Sequence, residues 1–196
     1  MKMETTKSYY SSNAKDYVQS TLSVDMSLHY SKFLSYLPKE GSILDVGFGS
    51  GRDTAYFSSL GYDTFGIDNV QEFVEWAKTG GLKVAKTDFN EMNFINKFDG
   101  IWACASLLHS PKLELSLEKI HTALKDNGYL YISMKEGNGE GIENGRYFRY
   151  VSEKELTEIC AKHGLELVEI YKTTDLLKRD NIWLNGIFRK RLHKDN

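Results

Sequence analysis

Apolar and polar positions change period several times along the chain. Asn13 to Leu37 reads as helix in two pieces. Met26, Tyr30, Phe33, Leu34 and Leu37 fall near helical spacing in the second piece, and Asn13 and Asp25 are the candidate caps. Met1 to Ser8, ahead of it, is expected to fray, and Pro38 and Gly41 close the segment. From Ile43 the pattern alternates. An apolar strand runs into a glycine turn and a helix over Thr54 to Leu60, closed by Gly61. A strand over Tyr62 to Ile67, a helix over Val70 to Thr79 and a strand over Leu82 to Lys86 follow. Gly100 to Ala105 is a fourth, apolar strand. Ser110-Pro111 starts a helix, with Ser110 as cap and Leu113, Leu117, Ile120 and Leu124 as its buried stripe. Asp126-Asn127-Gly128 turns the chain into a fifth strand, Tyr129 to Met134. Alternation of this kind argues for a mainly parallel sheet covered on both faces.

The character then changes. Glu136 to Arg146 is a glycine-rich, polar excursion without obvious structure. Ser152 and Glu155 form a capping box, and the helix behind them offers Leu156, Ile159, Cys160 and His163 to the core before Gly164. Leu165 to Thr173 and Ile182 to Arg189 read as two last strands. With no helix evident between them, they are expected to pair antiparallel at the sheet edge.

Composition narrows the classes. The chain has 196 residues, 41% of them hydrophobic, which suits one globular domain. A net charge of -2 gives no global sign of nucleic acid or membrane binding. No apolar run approaches the roughly 20 residues that a bilayer requires, and Met1 to Tyr10 lacks the apolar core of a signal peptide. Cys104 and Cys160 fit no metal spacing, so free thiols in a reducing cytoplasm are expected. The basic tail from Arg189 to Lys194 reads as a solvated terminus.

Candidate chemistry concentrates in Asp45-Val46-Gly47-Phe48-Gly49-Ser50-Gly51-Arg52. Strand, glycine turn and helix start make a first βα unit of Rossmann type, where a ligand approaches bare main chain. A dinucleotide loop would put a third glycine where Arg52 stands, and a P-loop would end in Gly-Lys-Ser/Thr. Asp45 would repel a pyrophosphate, but suits a zwitterionic or cationic ligand.

The stretch resembles the E/D-x-G-x-G-x-G signature of class I S-adenosylmethionine-dependent methyltransferases. The resemblance continues in order through Gly66-Ile67-Asp68, Asp88-Phe89, Phe98 to His109 and Leu124 to Leu130, covering roughly Ile43 to Met134. Gly51-Arg52-Asp53 and Trp102 to His109 look like a small bacterial group close to the tellurite-resistance-like methyltransferases, with Phe48 where that group often has Cys. The resemblance implies an α/β, Rossmann-like sheet of seven strands, mostly parallel with an antiparallel last strand. It divides a single domain into an N-terminal helical lid (1–41), a cofactor-binding core (42–135) and a substrate-side excursion with edge strands (136–196). It implies S-adenosyl-L-methionine as cofactor and S-adenosyl-L-homocysteine as product. Asp68 would take the ribose hydroxyls, about 20 residues past the glycines as in Rossmann sites generally, with Asn69 along the adenosine. Asp88 and the Phe89 N–H would meet the adenine. Asp45, the Gly47 backbone, carbonyls near Ala103, and Ser106 would hold the amino-acid end. Phe48 and Gly49 would contribute main chain, the Phe48 side chain pointing away.

For the acceptor, His109 is the candidate base, able to titrate near neutral pH, against a purely structural hydrogen-bonded role. Arg52 would bind an anion or pair with Asp53 at the surface. Tyr9, Tyr10 and Tyr17 would lie over the cofactor as part of the lid, or pack in the core. Arg146 and Arg149, between aromatics, suggest an anionic planar acceptor or a half-buried strand. Lys135 and Glu136 are expected to face the pocket, and Trp183-Leu184-Asn185 to pack in the last strand. No Asn/Asp/Ser-Pro-Pro-aromatic motif follows the fourth strand, which favours a small-molecule acceptor over nucleic acid. Methyl transfer by in-line displacement, in a cytoplasmic monomer or homodimer, is the leading expectation. A cofactor-binding module without turnover, a methyltransferase acting on nucleic acid or protein, and a nicotinamide oxidoreductase are the rivals.

Overall fold

The computed structural model describes residues 2–191; Met1 and residues 192–196, the end of the basic tail, lie outside it. The chain opens with three helices, α1 (Lys2–Ser12), α2 (Ala14–Thr21) and α3 (Ser27–Leu34). The alternating part follows: β1 (Ser42–Val46), α4 (Arg52–Ser59), β2 (Asp63–Asp68), α5 (Gln71–Thr79), β3 (Val84–Lys86) and β4 (Phe98–Ala103). A 3-10 turn over Leu107–His109 leads to α6 (Leu113–Ala123) and β5 (Leu124–Lys135). Then come β6 (Glu140–Glu143), β7 (Arg146–Arg149), α7 (Glu153–Lys162), β8 (Leu165–Thr174) and β9 (Ile182–Lys190).

Seven strands form one sheet in the order β3-β2-β1-β4-β5-β9-β8, while β6 and β7 make a separate hairpin. The first five strands of the sheet pair in parallel, and β9 runs antiparallel to both β5 and β8. The strand order reverses between β1 and β4, so the crevice at their carboxyl ends is the natural ligand site of such a sheet. Residues of β1 alternate between two cores. Leu44 and Val46 join the layer that includes α6 and α7 residues, and Ile43 joins Phe33, Phe57, Trp102 and Tyr131 on the other face. Burial on both faces explains why this strand reads as a continuous apolar run.

Several expectations change. The N-terminus does not fray: α1 packs along β7, where the Tyr147 N–H donates to the Thr6 hydroxyl at 2.8 Å and Lys2 pairs with Glu140. Asn13 precedes α2 without capping it, its amide instead donating to the Tyr9 carbonyl at 2.8 Å. Asp25 does accept from the Ser27 N–H at 2.9 Å. Ser110 is not the cap of α6, because its hydroxyl lies one turn early, accepting from the Lys112 N–H, and the helix starts at Leu113. Ser152 caps α7 through the Glu155 N–H, but the Glu155 carboxylate turns to Arg149. His163 caps the end of that helix, half-buried. The excursion after Glu136 is the β6–β7 hairpin, turned by Asn144 (φ 48) and Gly145 (φ 78). Two successive positive-φ residues match the twist of paired strands, which is why Asn-Gly suits the position. Lys190 is no solvated tail residue: it is buried, and its ammonium donates to the Leu124 carbonyl at 2.8 Å and to Asn96 at 2.9 Å. Both cysteines are free thiols.

Candidate active site

The tips of β1, β2 and β4 surround the glycine loop. Gly47 has φ 72, and a Cβ built on it would lie 2.6 Å from Ser106 Cβ, so the loop needs glycine for both conformation and clearance. The Tyr17 ring lies directly on Gly49. Asp68, at the end of β2, is buried. Its Oδ2 accepts from the Gly49 N–H at 3.0 Å and its Oδ1 from the Val70 N–H at 2.9 Å. Burial pushes its carboxyl up to about 6, against those N–H donors. Each carboxylate oxygen retains a second lone pair for a ligand hydroxyl.

One cavity gathers Tyr10, Tyr17, Gly47, Gly49, Asp68, Asn69, Phe89, Ser106 and His109. Asp88 stands just behind, its Oδ2 accepting from the Asn69 amide at 3.0 Å and its Oδ1 from the Asn90 N–H at 2.8 Å. Asp45 and Ala103 lie beneath the site rather than on its wall. Asp45 is fully buried and accepts from the Thr54 hydroxyl at 2.6 Å. Burial, with the Asp53 charge second, holds its carboxyl well above the ordinary range. The Phe48 ring packs with Val70, Phe73 and Val84, away from the loop backbone.

Arg52 pairs with Asp53, Nε to Oδ1 at 2.6 Å and Nη2 to Oδ2 at 3.0 Å, and its Nη1 donates to the Thr21 carbonyl at 3.2 Å. The pair is not superficial: Asp53 is buried and also accepts from the Trp102 indole at 2.8 Å and from the Tyr30 hydroxyl, while Arg52 is half-buried.

His109 lies where α1, the 3-10 turn and the hairpin meet. Its Nδ1 is 2.6 Å from the Tyr147 carbonyl and so must carry the proton. Nε2 therefore keeps its lone pair and accepts from the Tyr10 hydroxyl at 2.9 Å. Burial pushes the imidazole down to about 4, which corrects the expectation of titration near neutral pH. Tyr10 also packs edge-on against Tyr17, with ring centroids 5.2 Å apart.

A larger cavity of about 310 Å³ continues past Tyr10, Tyr17, Gly47 and His109. It reaches Arg52, Lys135, Arg146, Phe148, Trp183 and Asn185. Its size suits a small molecule. Glu136 turns away to pair with Lys172, and Arg149 turns away to Glu155. The cavity's cover, the β8–β9 connection, escaped the sequence reading. Asp175 anchors it by accepting from the Leu177 N–H, Arg179, Asn181 and the Trp183 indole at 2.8 to 3.1 Å. An Asp followed at short range by such donors was the available signal.

A glycine loop after β1 and a buried acid at the end of β2, at the switch point of a seven-stranded 3-2-1-4-5 sheet with an antiparallel insertion, define a Rossmann-like methyltransferase fold. Residues 44–132 match the family model described as "Methyltransferase domain". Sterol 24-C-methyltransferase of Neurospora crassa is 34% identical over 110 residues, which cover 51% of this chain and 29% of that protein. Malonyl-[acyl-carrier protein] O-methyltransferase of Calditerrivibrio nitroreducens is 27% identical over 89 residues, 45% of this chain and 36% of that protein. The chain thus spans about a third of the length of the curated relatives it matches. Among solved structures, Burkholderia thailandensis 1,6-didemethyltoxoflavin-N1-methyltransferase, with 1,6-didemethyltoxoflavin and S-adenosylhomocysteine bound, superposes with a TM-score of 0.81. It is 25% identical, and the superposition covers 95% of this chain and 87% of that one. Residues 44–132 thus resemble a methyltransferase domain, set in a sheet of the Rossmann-like methyltransferase fold.

Proposed function

We propose that this protein transfers a methyl group from S-adenosyl-L-methionine to a small-molecule acceptor, releasing S-adenosyl-L-homocysteine. The observation that carries the reading is a pair of adjoining cavities that share Tyr10, Tyr17, Gly47 and His109 in their walls. The narrow one is lined by Gly47, Gly49 and Asp68, and the wide one lies on the side of Arg52, Lys135 and Arg146. The residues present fit the cofactor: Ser106 Oγ, beside Gly47, is buried without a hydrogen-bond partner, which suits a site completed by a polar ligand. Asp68 would hold the ribose hydroxyls, Asn69 and Phe89 the adenosine, with Asp88 orienting Asn69 from behind. Gly47, Gly49 and Ser106 would hold the amino-acid end, supported from below by Asp45. Tyr10 and Tyr17 would close over it. The cofactor supplies an already activated methyl group, so the protein mainly aligns an acceptor and excludes water.

Where the acceptor must lose a proton, His109 Nε2 is the neutral lone pair at the junction, reached through the Tyr10 hydroxyl. Its low proton affinity fixes the sign of the pH dependence. The neutral, competent form persists as pH falls and is lost only near pH 4. Activity limited by His109 is therefore expected to stay flat between pH 5 and 8, on a scale where a free imidazole would titrate near ~6.5. His109→Ala should lower turnover at least about a hundredfold and leave S-adenosyl-L-homocysteine affinity little changed. Equal losses in both would assign His109 a structural role.

Asp68→Ala should weaken S-adenosyl-L-homocysteine at least about tenfold, ~1.4 kcal/mol, by equilibrium dialysis; an unchanged constant would remove Asp68 from the ribose. Radiolabel passing from the methyl of S-adenosyl-L-methionine into a small-molecule extract tests the activity itself. Cofactor binding with no transfer to any extract would favour a regulatory binding module. Transfer into protein or nucleic acid instead would move the acceptor class. The Gly51-Arg52-Asp53 ending and the Trp102–His109 stretch support kinship with the tellurite-resistance-like group. A cytoplasmic enzyme, monomeric or homodimeric, with residues 1–41 as lid, 42–135 as core and 136–196 as acceptor side, completes the reading. Among the described residues no helix is long and apolar enough to cross a membrane.

A further inference from the structure

At one end of the larger cavity two cations stand outside any ion pair, with the Glu143 carboxylate facing the same space. Lys135, at the end of β5, and Arg146, at the start of β7, both line it. Among the described residues, neither has a carboxylate within ion-pair distance, whereas the other cations of the cavity wall do: Arg52 pairs with Asp53 and Arg179 with Asp175. Glu143 also faces the cavity, but its Oε1 accepts from the Tyr150 hydroxyl at 2.5 Å. Lys135 Nζ and the Arg146 guanidinium carbon lie over the same ring, 4.1 and 5.1 Å from the Phe148 centroid. Arg146 also lies 4.5 Å from the Tyr9 ring centroid. These aromatic contacts position the cations without accepting their hydrogen bonds in full. Arg146 Nε is buried with no acceptor. A buried charged donor left unmet is costly, and an incoming anion would supply the missing acceptors. Burial depresses Lys135, against the opposing charge of Glu143 and with smaller help from Arg179 and Arg146, an effect a bound anion would reverse.

We propose that the methyl acceptor carries an anionic group, a carboxylate or a phosphate, held between Lys135 Nζ and the Arg146 guanidinium. This rests on the methyl-transfer reading for its meaning, but on the cavity alone for its chemistry. The remainder of the acceptor points toward Tyr10 and His109. The other wall, with Ser133, Tyr131 and Asn185, carries no charge, and its polar groups bond to one another and to neighbouring protein atoms.

The test is a calorimetric titration of the full chain, with and without S-adenosyl-L-homocysteine, using benzoate, phenyl phosphate and neutral benzamide. At least one anion should bind ten times more tightly than benzamide or better, and the preferred anion identifies carboxylate or phosphate as the group. Lys135→Gln and Arg146→Gln should each weaken the anion at least tenfold. Lys172→Gln, whose ammonium pairs with Glu136 outside the cavity, should change nothing. Benzamide binding as tightly as both anions, no binding of any probe, or anion binding unaltered in both cavity variants overturns the proposal. Homocysteine-ligand binding in the same experiment separates the two claims. If it persists while the anions fail, only the anionic acceptor falls. If it is lost while the anions still bind, the methyl-transfer reading falls and the anion site stands.

Discussion

Gly47→Ala is expected to weaken cofactor binding at least about a hundredfold, or ~2.7 kcal/mol. Two costs coincide at this position. The backbone has φ 72, where a side chain is penalised by about 1–2 kcal/mol, and the new methyl would sit 2.6 Å from Ser106 Cβ. Ser106 cannot yield freely, because the 3-10 turn behind it is fixed by the His109 N–H donating to the Ser106 carbonyl at 3.0 Å. The loop must therefore move, and with it the Gly49 N–H that meets Asp68. Gly61→Ala is the matched control: φ is 89, yet nothing lies within 4 Å of the added Cβ. That variant should lose some stability and keep its cofactor affinity. Titration of both variants with S-adenosyl-L-homocysteine checks the claim; equal affinities would mean that the loop backbone does not touch the ligand.

Asp53→Ala is expected to destabilise the fold by about 3–5 kcal/mol, the usual cost of breaking one side of a buried ion pair. The carboxylate is 6% exposed and accepts from Arg52, Trp102 and Tyr30 together. Truncation strands a half-buried guanidinium, left with the Thr21 carbonyl, and a buried indole N–H between α3, α4 and β4, and alanine offers no acceptor to either. Asp53→Asn, which keeps an acceptor and removes the charge, should cost less. Urea unfolding read by tryptophan fluorescence measures the difference, since Trp102 is part of the network. A loss below about 1 kcal/mol would place the pair in the weak class of exposed bridges.

Sequence made the cofactor side legible because its signals are local. Asp45 to Arg52 is a contiguous strand–turn–helix, Asp68 ends β2, and Asp88 follows the short β3 by two residues. The helical reading began one helix too late, at Asn13, since α1, Lys-Met-Glu-Thr-Thr-Lys-Ser-Tyr-Tyr-Ser-Ser, has no apolar stripe and is held through Thr6 and Lys2 to the β6–β7 hairpin. The hairpin carried an Asn144-Gly145 turn signal, but the glycines at 137, 139 and 141 obscured its first strand. The acceptor side was the least legible. Lys135, Arg146 and Trp183 come from three separate elements, and only the tertiary fold brings them to one wall. The same holds for His109, whose proton affinity is lowered by burial, against the smaller opposing effect of the Tyr147 carbonyl, neither of which is visible in its neighbours along the chain.

The central claim is that the tips of adjacent parallel strands converge on one adenosyl site. Calorimetric titration of the unmodified protein with S-adenosyl-L-homocysteine tests it most directly. The account predicts one site per chain with a micromolar dissociation constant, about -8 kcal/mol. A titration without binding heat across temperatures, for this ligand and for S-adenosyl-L-methionine alike, would contradict it.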